Sequence, residues 1–198
     1  MISRTRMLAA TAALATTAVV GAGSVMAATQ HGAAPAKRQS AQAAVARLHL
    51  DPASAQLKAC FPRAHVDVAV KETVDQIGFD SFNIKARGLP ANTAFTVFLL
   101  EQAETPFGAA EYIGDIFTDA NGKANNTFRL IVSEAFSSTI VNGQRVRKEL
   151  NRVGAWFADP AGDDFCLGAG SPVTPFDGDN EAGVQALNSR NSPPLPAP

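Results

Sequence analysis

The chain is short of the side chains that most chemistry requires. It holds three histidines, His31, His49 and His65, and two cysteines, Cys60 and Cys166, in 198 residues. The histidines show no metal-ligand spacing along the chain, and His65 reads as a surface residue opposite the apolar face of Val66, Val68 and Val70. No G-x-S-x-G elbow is present for a serine nucleophile, and no glycine-rich loop for phosphate. The cysteines lack the C-x-x-C spacing of a redox or metal pair. Neither sign of charge dominates, with 17 Lys and Arg against 18 Asp and Glu. That balance gives no electrostatic reason to expect nucleic acid or an anionic membrane as partner.

What is present begins with a targeting pattern. Arg4 and Arg6 precede an apolar run from Leu8 to Val20, and small residues follow to Ala27. This is the layout of a secretory signal peptide over residues 1–27, cleaved after Ala27. The run is broken by Thr11, Thr16 and Thr17 and is shorter than the roughly 20 residues that cross a bilayer, so no membrane span is expected after cleavage. Thr5 separates the two arginines, so there is no twin-arginine pair, and no cysteine stands at the cleavage site to take a lipid. Loss of Arg4 and Arg6 with no acid lowers the basic count from 17 to 15 against 18 acids, a net charge of −3. The expected product is secreted, extracellular or associated with the cell surface. There an even cysteine count points to a Cys60–Cys166 disulfide. Closing so long a loop constrains the unfolded chain by about 4–5 kcal/mol in the chain-entropy treatment.

Residues 28–59, rich in Ala and small polar side chains, are expected as a flexible leader or linker, with a short helix over Gln39 to Leu50 whose apolar face is too small to hold by itself. The folded domain is expected over residues 60–190, followed by a Pro-rich tail at 191–198. Period-two alternation marks strands near Val66–Glu72 and Phe82–Arg87. The stretch Phe95–Leu100 is apolar on both faces and reads as a central strand. Further strands are expected at Tyr112–Thr118, Ala124–Val132, Val153–Ala158, where Trp156 is placed as a core anchor, and Val184–Leu187. Asp119-Ala120-Asn121-Gly122 is expected to close a hairpin, and Asn142-Gly143 a second one between Ile140-Val141 and Arg145-Val146. Ser133 to Ser138 fits a helical turn or an irregular crossing. About seven or eight short strands with Gly, Pro, Asn and Asp turns specify an all-β fold, an antiparallel immunoglobulin-like β-sandwich, with a closed barrel as the alternative.

The segments ARGLPANTAFTVFLL from Ala86, EYIGDIFTDANGKANNTF from Glu111 and WFADPAGDDFC from Trp156 resemble a group of small exported bacterial proteins that carry an immunoglobulin-like sandwich and no assigned activity. The resemblance covers Val66 to Leu187. It implies location and fold, and it carries over no catalytic residue.

Two polar clusters remain. Asp159, Asp163 and Asp164 lie beside Cys166, and Asp177, Asp179 and Glu181 follow in FDGDNEAG. Hard oxygen ligands in loops suit Ca²⁺, although the glycine expected at the sixth position of a calcium loop comes one residue late and the twelfth position lacks its Glu. Solvated turns are the simpler account of the same acids. Arg145, Arg147, Lys148 and Arg152 form a basic stretch interleaved with Val146 and Leu150. It suits an acidic cell-wall polymer or a carboxylated glycan, or else is a solvated hairpin. The expected function is therefore non-enzymatic, with no cofactor beyond a possible calcium ion: an exported module that binds a protein or cell-envelope component through its loops. The alternative is a small extracellular hydrolase using acids among Asp159, Asp163, Asp164, Asp177 and Asp179. The ligand and the oligomeric state are open at this point.

Overall fold

The computed structural model describes residues 45–72, 78–132, 135–175 and 181–196. The signal peptide, the leader up to residue 44, and Asp177 and Asp179 lie outside the described residues. Ten strands and two short helices follow in the order β1 (Val45–Pro52), α1 (Ala55–Cys60), β2 (His65–Lys71), β3 (Asp80–Arg87), β4 (Ala94–Leu100), β5 (Ala110–Phe117), β6 (Ala124–Leu130), β7 (Phe136–Val141), β8 (Gln144–Glu149), β9 (Arg152–Phe157), α2 (Asp164–Leu167) and β10 (Gln185–Asn188). The fold is all-β and antiparallel, as expected. Eight strands form one sheet in the order β5-β4-β9-β10-β1-β2-β3-β6, and β7 and β8 form a separate two-stranded sheet.

The eight-stranded sheet is barrel-like. Its edge strands β5 and β6 approach each other at Gly114, where a Cβ would meet the Phe128 ring at 2.6 Å. Only glycine leaves room there, and its φ of +148° accompanies the register shift between Val97 and Phe98 on the neighbouring strand. The opposite seam is made by β1. Val45 to Leu50 pair with β2, then Asp51 and Pro52 pair with β10, so one strand joins the two halves of the sheet.

This seam corrects the expectation of linker and short helix before Cys60. Ala46, Leu48, Leu50 and Pro52 recur at the strand period and turn inward, Leu48 and Leu50 being buried. Each such leucine contributes about 1.5–3 kcal/mol relative to exposure, more than alanine's helix preference over a few residues. The chain from Val45 to Cys60 is thus part of the folded unit.

The main core lies between the two halves and contains Leu50, Ile84, Phe82, Phe95, Leu99, Ile116 and Phe157. Phe95 and Phe157 stack at 5.1 Å between ring centroids. As expected, β4 is buried on both faces. Trp156, however, does not anchor the main core. It points to the outer face of β9 and forms a second cluster with Phe98, Leu100 and Ala182, capped by Phe107 at 5.0 Å. Its neighbour Phe157 takes the central place, because successive residues of a strand face opposite sides. The Cys60–Cys166 disulfide is formed, joining α1 to α2 across 106 positions with Cα atoms 5.8 Å apart. Phe165-Cys166-Leu167 is accordingly helical.

Asp119–Gly122 is a tight turn, with Gly122 N–H donating to the Asp119 carbonyl at 2.9 Å and the Asp119 carboxylate taking the Asn121 and Lys123 N–H groups. It does not close a hairpin ladder: β5 pairs with β4, and β6 with β3. The turn instead crosses between the halves and is fastened to the other crossing, Gly88–Thr93. Leu89 N–H donates to the Gly122 carbonyl at 3.2 Å, and Asn92 N–H to the Asp119 carbonyl at 3.2 Å. The buried Thr118 hydroxyl completes the joint, donating to the Pro90 carbonyl at 2.6 Å and accepting from Thr93 N–H at 2.9 Å. Thr118→Val keeps the shape and removes both bonds. It is expected to lower stability by about 1–3 kcal/mol, the cost of leaving buried backbone groups unpaired. Urea unfolding reads this directly, and an unchanged midpoint would show that the crossings do not depend on each other.

Candidate functional site

The β7–β8 arm stands apart from the main sheet. Its strands are paired from Phe136↔Glu149 to Val141↔Gln144, and the connecting Asn142 and Gly143 both have positive φ, at +50° and +78°. That is the backbone a two-residue hairpin turn requires, so this hairpin is where the sequence places it. Phe136 to Ser138, expected as a helical turn or crossing, extends the ladder. At the base, Leu150 N–H donates to the Ala135 carbonyl at 3.0 Å, and Val132, Ala135 and Leu150 are buried in the main core. Val132 N–H is held by the buried Asp80 carboxylate at 2.9 Å. The arm thus grows from a fixed root.

Its surface is mixed. Alternation puts Phe136, Ser138 and Ile140 on one face with Arg145, Arg147 and Glu149. Phe136 and Ile140 are 51% and 58% exposed, and Val141 and Val146 are exposed on the other face. Neighbouring exposed apolar side chains of this size on one small element are unusual for a surface without a partner. The cations beside them are ordered: the Arg147 guanidinium lies 3.9 Å from the Phe136 ring centroid and pairs with Glu149, and Arg145 donates to the Ser138 hydroxyl at 2.8 Å. The Arg147 pairing holds the Glu149 carboxyl below its ordinary value. Lys148 turns back toward the body and donates to Glu101 at 2.7 Å. Arg152, the fourth residue of the basic stretch, lies in β9 and donates to the Ser192 carbonyl at 2.8 Å, where it fastens the C-terminal segment.

Of the described acidic residues, Asp159 and Asp163 do separate structural work. The Asp159 carboxylate accepts from Ala161 N–H at 2.9 Å and caps the 3₁₀ turn Pro160–Asp163. Asp163 is fully buried and accepts from Val184 N–H at 3.2 Å, while its other oxygen is buried without a partner among the described residues. Asp164 is exposed in the first turn of α2. Glu181 and Asp159 share the lining of one open depression with Ala94, Ala158 and Pro160. Among the described residues, the group of three or more side chains able to ligate a metal contains none of these acids.

No protein-family model matches the chain, and the search of curated proteins finds no significant relative. The arm's basic residues and its turn were visible in the sequence. Its apolar faces were not, because Phe136, Ile140 and Val141 are of the residue types that fill core strands, and only their exposure among the described residues distinguishes them.

Lys148 couples the arm to the body through a titratable group. Its hydrogen bond, joined by one from Ala109 N–H, holds the Glu101 carboxyl below its ordinary value of 4.5. The folded protein therefore favours the charged form, and the resulting stabilisation is complete above that ordinary value and lost as pH falls through the lowered one. Lys148→Met is expected to move the Glu101 titration back upward, as followed by carboxyl NMR. A titration unchanged in the variant would mean that the arm's root is not held by this pair.

Proposed function

We propose that the protein is an exported β-sandwich binding module whose β7–β8 arm engages an anionic component of the cell envelope. The observation that carries this reading is the arm itself, a fixed two-stranded sheet separate from the main one, with Phe136 and Ile140 exposed beside ordered arginines. Arginine already fixed by an aromatic ring loses less freedom when it takes up a carboxylate or phosphate. Apolar contacts next to it add area that salt does not screen.

The frame is read as a sandwich of immunoglobulin-like type, with β1-β2-β3-β6 facing β5-β4-β9-β10. The shared core, with Leu50 and Ile84 from one half and Phe95 and Phe157 from the other, supports this. Export is supported by the N-terminal pattern and by the disulfide, which suits an oxidising compartment. The hydrolase reading rests on acids of which Asp159 and Asp163 are engaged in capping and in holding the Val184 backbone.

Cosedimentation with isolated bacterial cell envelopes tests the proposal. The protein is expected to bind, to be partly released by salt, and to lose at least about tenfold in affinity in Phe136→Ser/Ile140→Ser and in Arg145→Glu, since a buried anchor or charge pair contributes about 1–3 kcal/mol or more. Binding that survives both variants, or depends on protein rather than polymer in protease-treated envelopes, would overturn it.

A further inference from the structure

The strand register assembles a cluster that the linear spacing conceals. His49 of β1 is the direct cross-strand partner of Asp67 of β2, and His65 precedes Asp67 by two residues on the same outward face. His49 Nδ1 lies 3.4 Å from Asp67 Oδ1, and His65 Nε2 lies 2.9 Å from Asp67 Oδ2. The two imidazole rings are 4.8 Å apart between centroids. One ligand atom from each of the three residues falls within 4.8 Å of the others.

We propose that His49, His65 and Asp67 form a binding site for a divalent transition-metal ion of the zinc class. Two imidazole nitrogens and one carboxylate oxygen are the borderline donor set such ions prefer over Ca²⁺ or Mg²⁺, which take oxygen. Bonds of about 2.0–2.1 Å at tetrahedral angles separate ligand atoms by about 3.3 Å; the two imidazoles face different oxygens of Asp67, and the three ligand atoms, within 4.8 Å of one another, reach that spacing by small side-chain rotations. The side chains are about one-third to one-half exposed, at 36%, 39% and 55% for His49, His65 and Asp67, so an ion has access and keeps a position for water or for a partner's ligand.

The site is held from behind. His49 N–H donates to the Ser192 hydroxyl at 2.8 Å, and that hydroxyl donates to the His49 carbonyl at 2.7 Å, fixing the backbone that carries the first ligand. Asp51 Oδ1 stands 3.6 Å from His49 Nε2, an ion-pair distance on the side of the ring away from Nδ1. Asn191 in turn donates to the other Asp51 oxygen at 2.9 Å. The cations on this face are Arg47 on β1, Lys71 on β2, Lys85 and Arg87 on β3 opposite Asp67 and His65, and Arg129 on β6 beyond Ser81; all five are exposed. Asp51 and Asp67 offset part of their repulsion for an entering ion.

Titration calorimetry of the purified protein without an affinity tag, using Zn²⁺ alone and then Ca²⁺ and Mg²⁺ alone, decides the matter. Zn²⁺ is expected to bind at one ion per chain, with no heat from the other two. His49→Ala and His65→Ala are each expected to weaken binding by more than about 100-fold, beyond the roughly 10–100-fold that follows loss of an outer partner alone. His31→Ala serves as the control and leaves the affinity unchanged. Circular dichroism melts confirm that each surface variant is folded. Absence of Zn²⁺ binding leaves only a histidine–aspartate ion-pair cluster and overturns the proposal, as does Zn²⁺ binding that survives the His49→Ala/His65→Ala double variant.

Discussion

The two-way pairing of β1 is the constraint on which the rest of the molecule depends. Six residues of one strand complete the β2 side of the sheet, and the next two complete the β10 side. Without this strand both flanking edges would carry unpaired backbone groups, and the core leucines Leu48 and Leu50 would be missing from between the halves. The same register also turns Arg47, His49 and Asp51 outward. Core packing and surface chemistry are therefore set by one alignment, since a slip of a single residue would exchange the two faces.

The remaining devices lock particular places. The disulfide ties α1 to α2, and the Thr118 hydroxyl binds one chain crossing to the other. The C-terminal segment returns along β9, where Leu195 is buried and its N–H donates to the Asn151 carbonyl at 2.8 Å. On this fixed frame the β7–β8 arm has the least cover among the described strands, and Ile140, Val141 and Val146 on it are exposed.

Local pattern was readable and long-range pairing was not. β2 and β3 follow from period-two alternation, β4 and β9 from short apolar runs, β6 from the turn residues before it, and Asn142-Gly143 from turn chemistry. The Ala-rich approach to Cys60 concealed β1, because good helix formers masked an alternation of only four inward residues. Size alone favours Trp156 inward, although Phe157 beside it is equally apolar and one of the two must face out. The TDANG turn is present but joins the two halves, a choice made by partners such as Leu89 and Asn92 that sit far off in sequence. The histidines are hidden for the same reason: residues 49, 65 and 67 form no motif until β1 lies against β2.

That alignment is open to direct observation by NMR. Nuclear Overhauser contacts between residues 45–50 and 66–71, with His49 facing Asp67, and between residues 51–52 and 187–188, are what the account predicts for the protein in solution. Sequential amide–amide contacts of a helix running through His49 and Leu50, with no cross-strand contacts to β2, would contradict it.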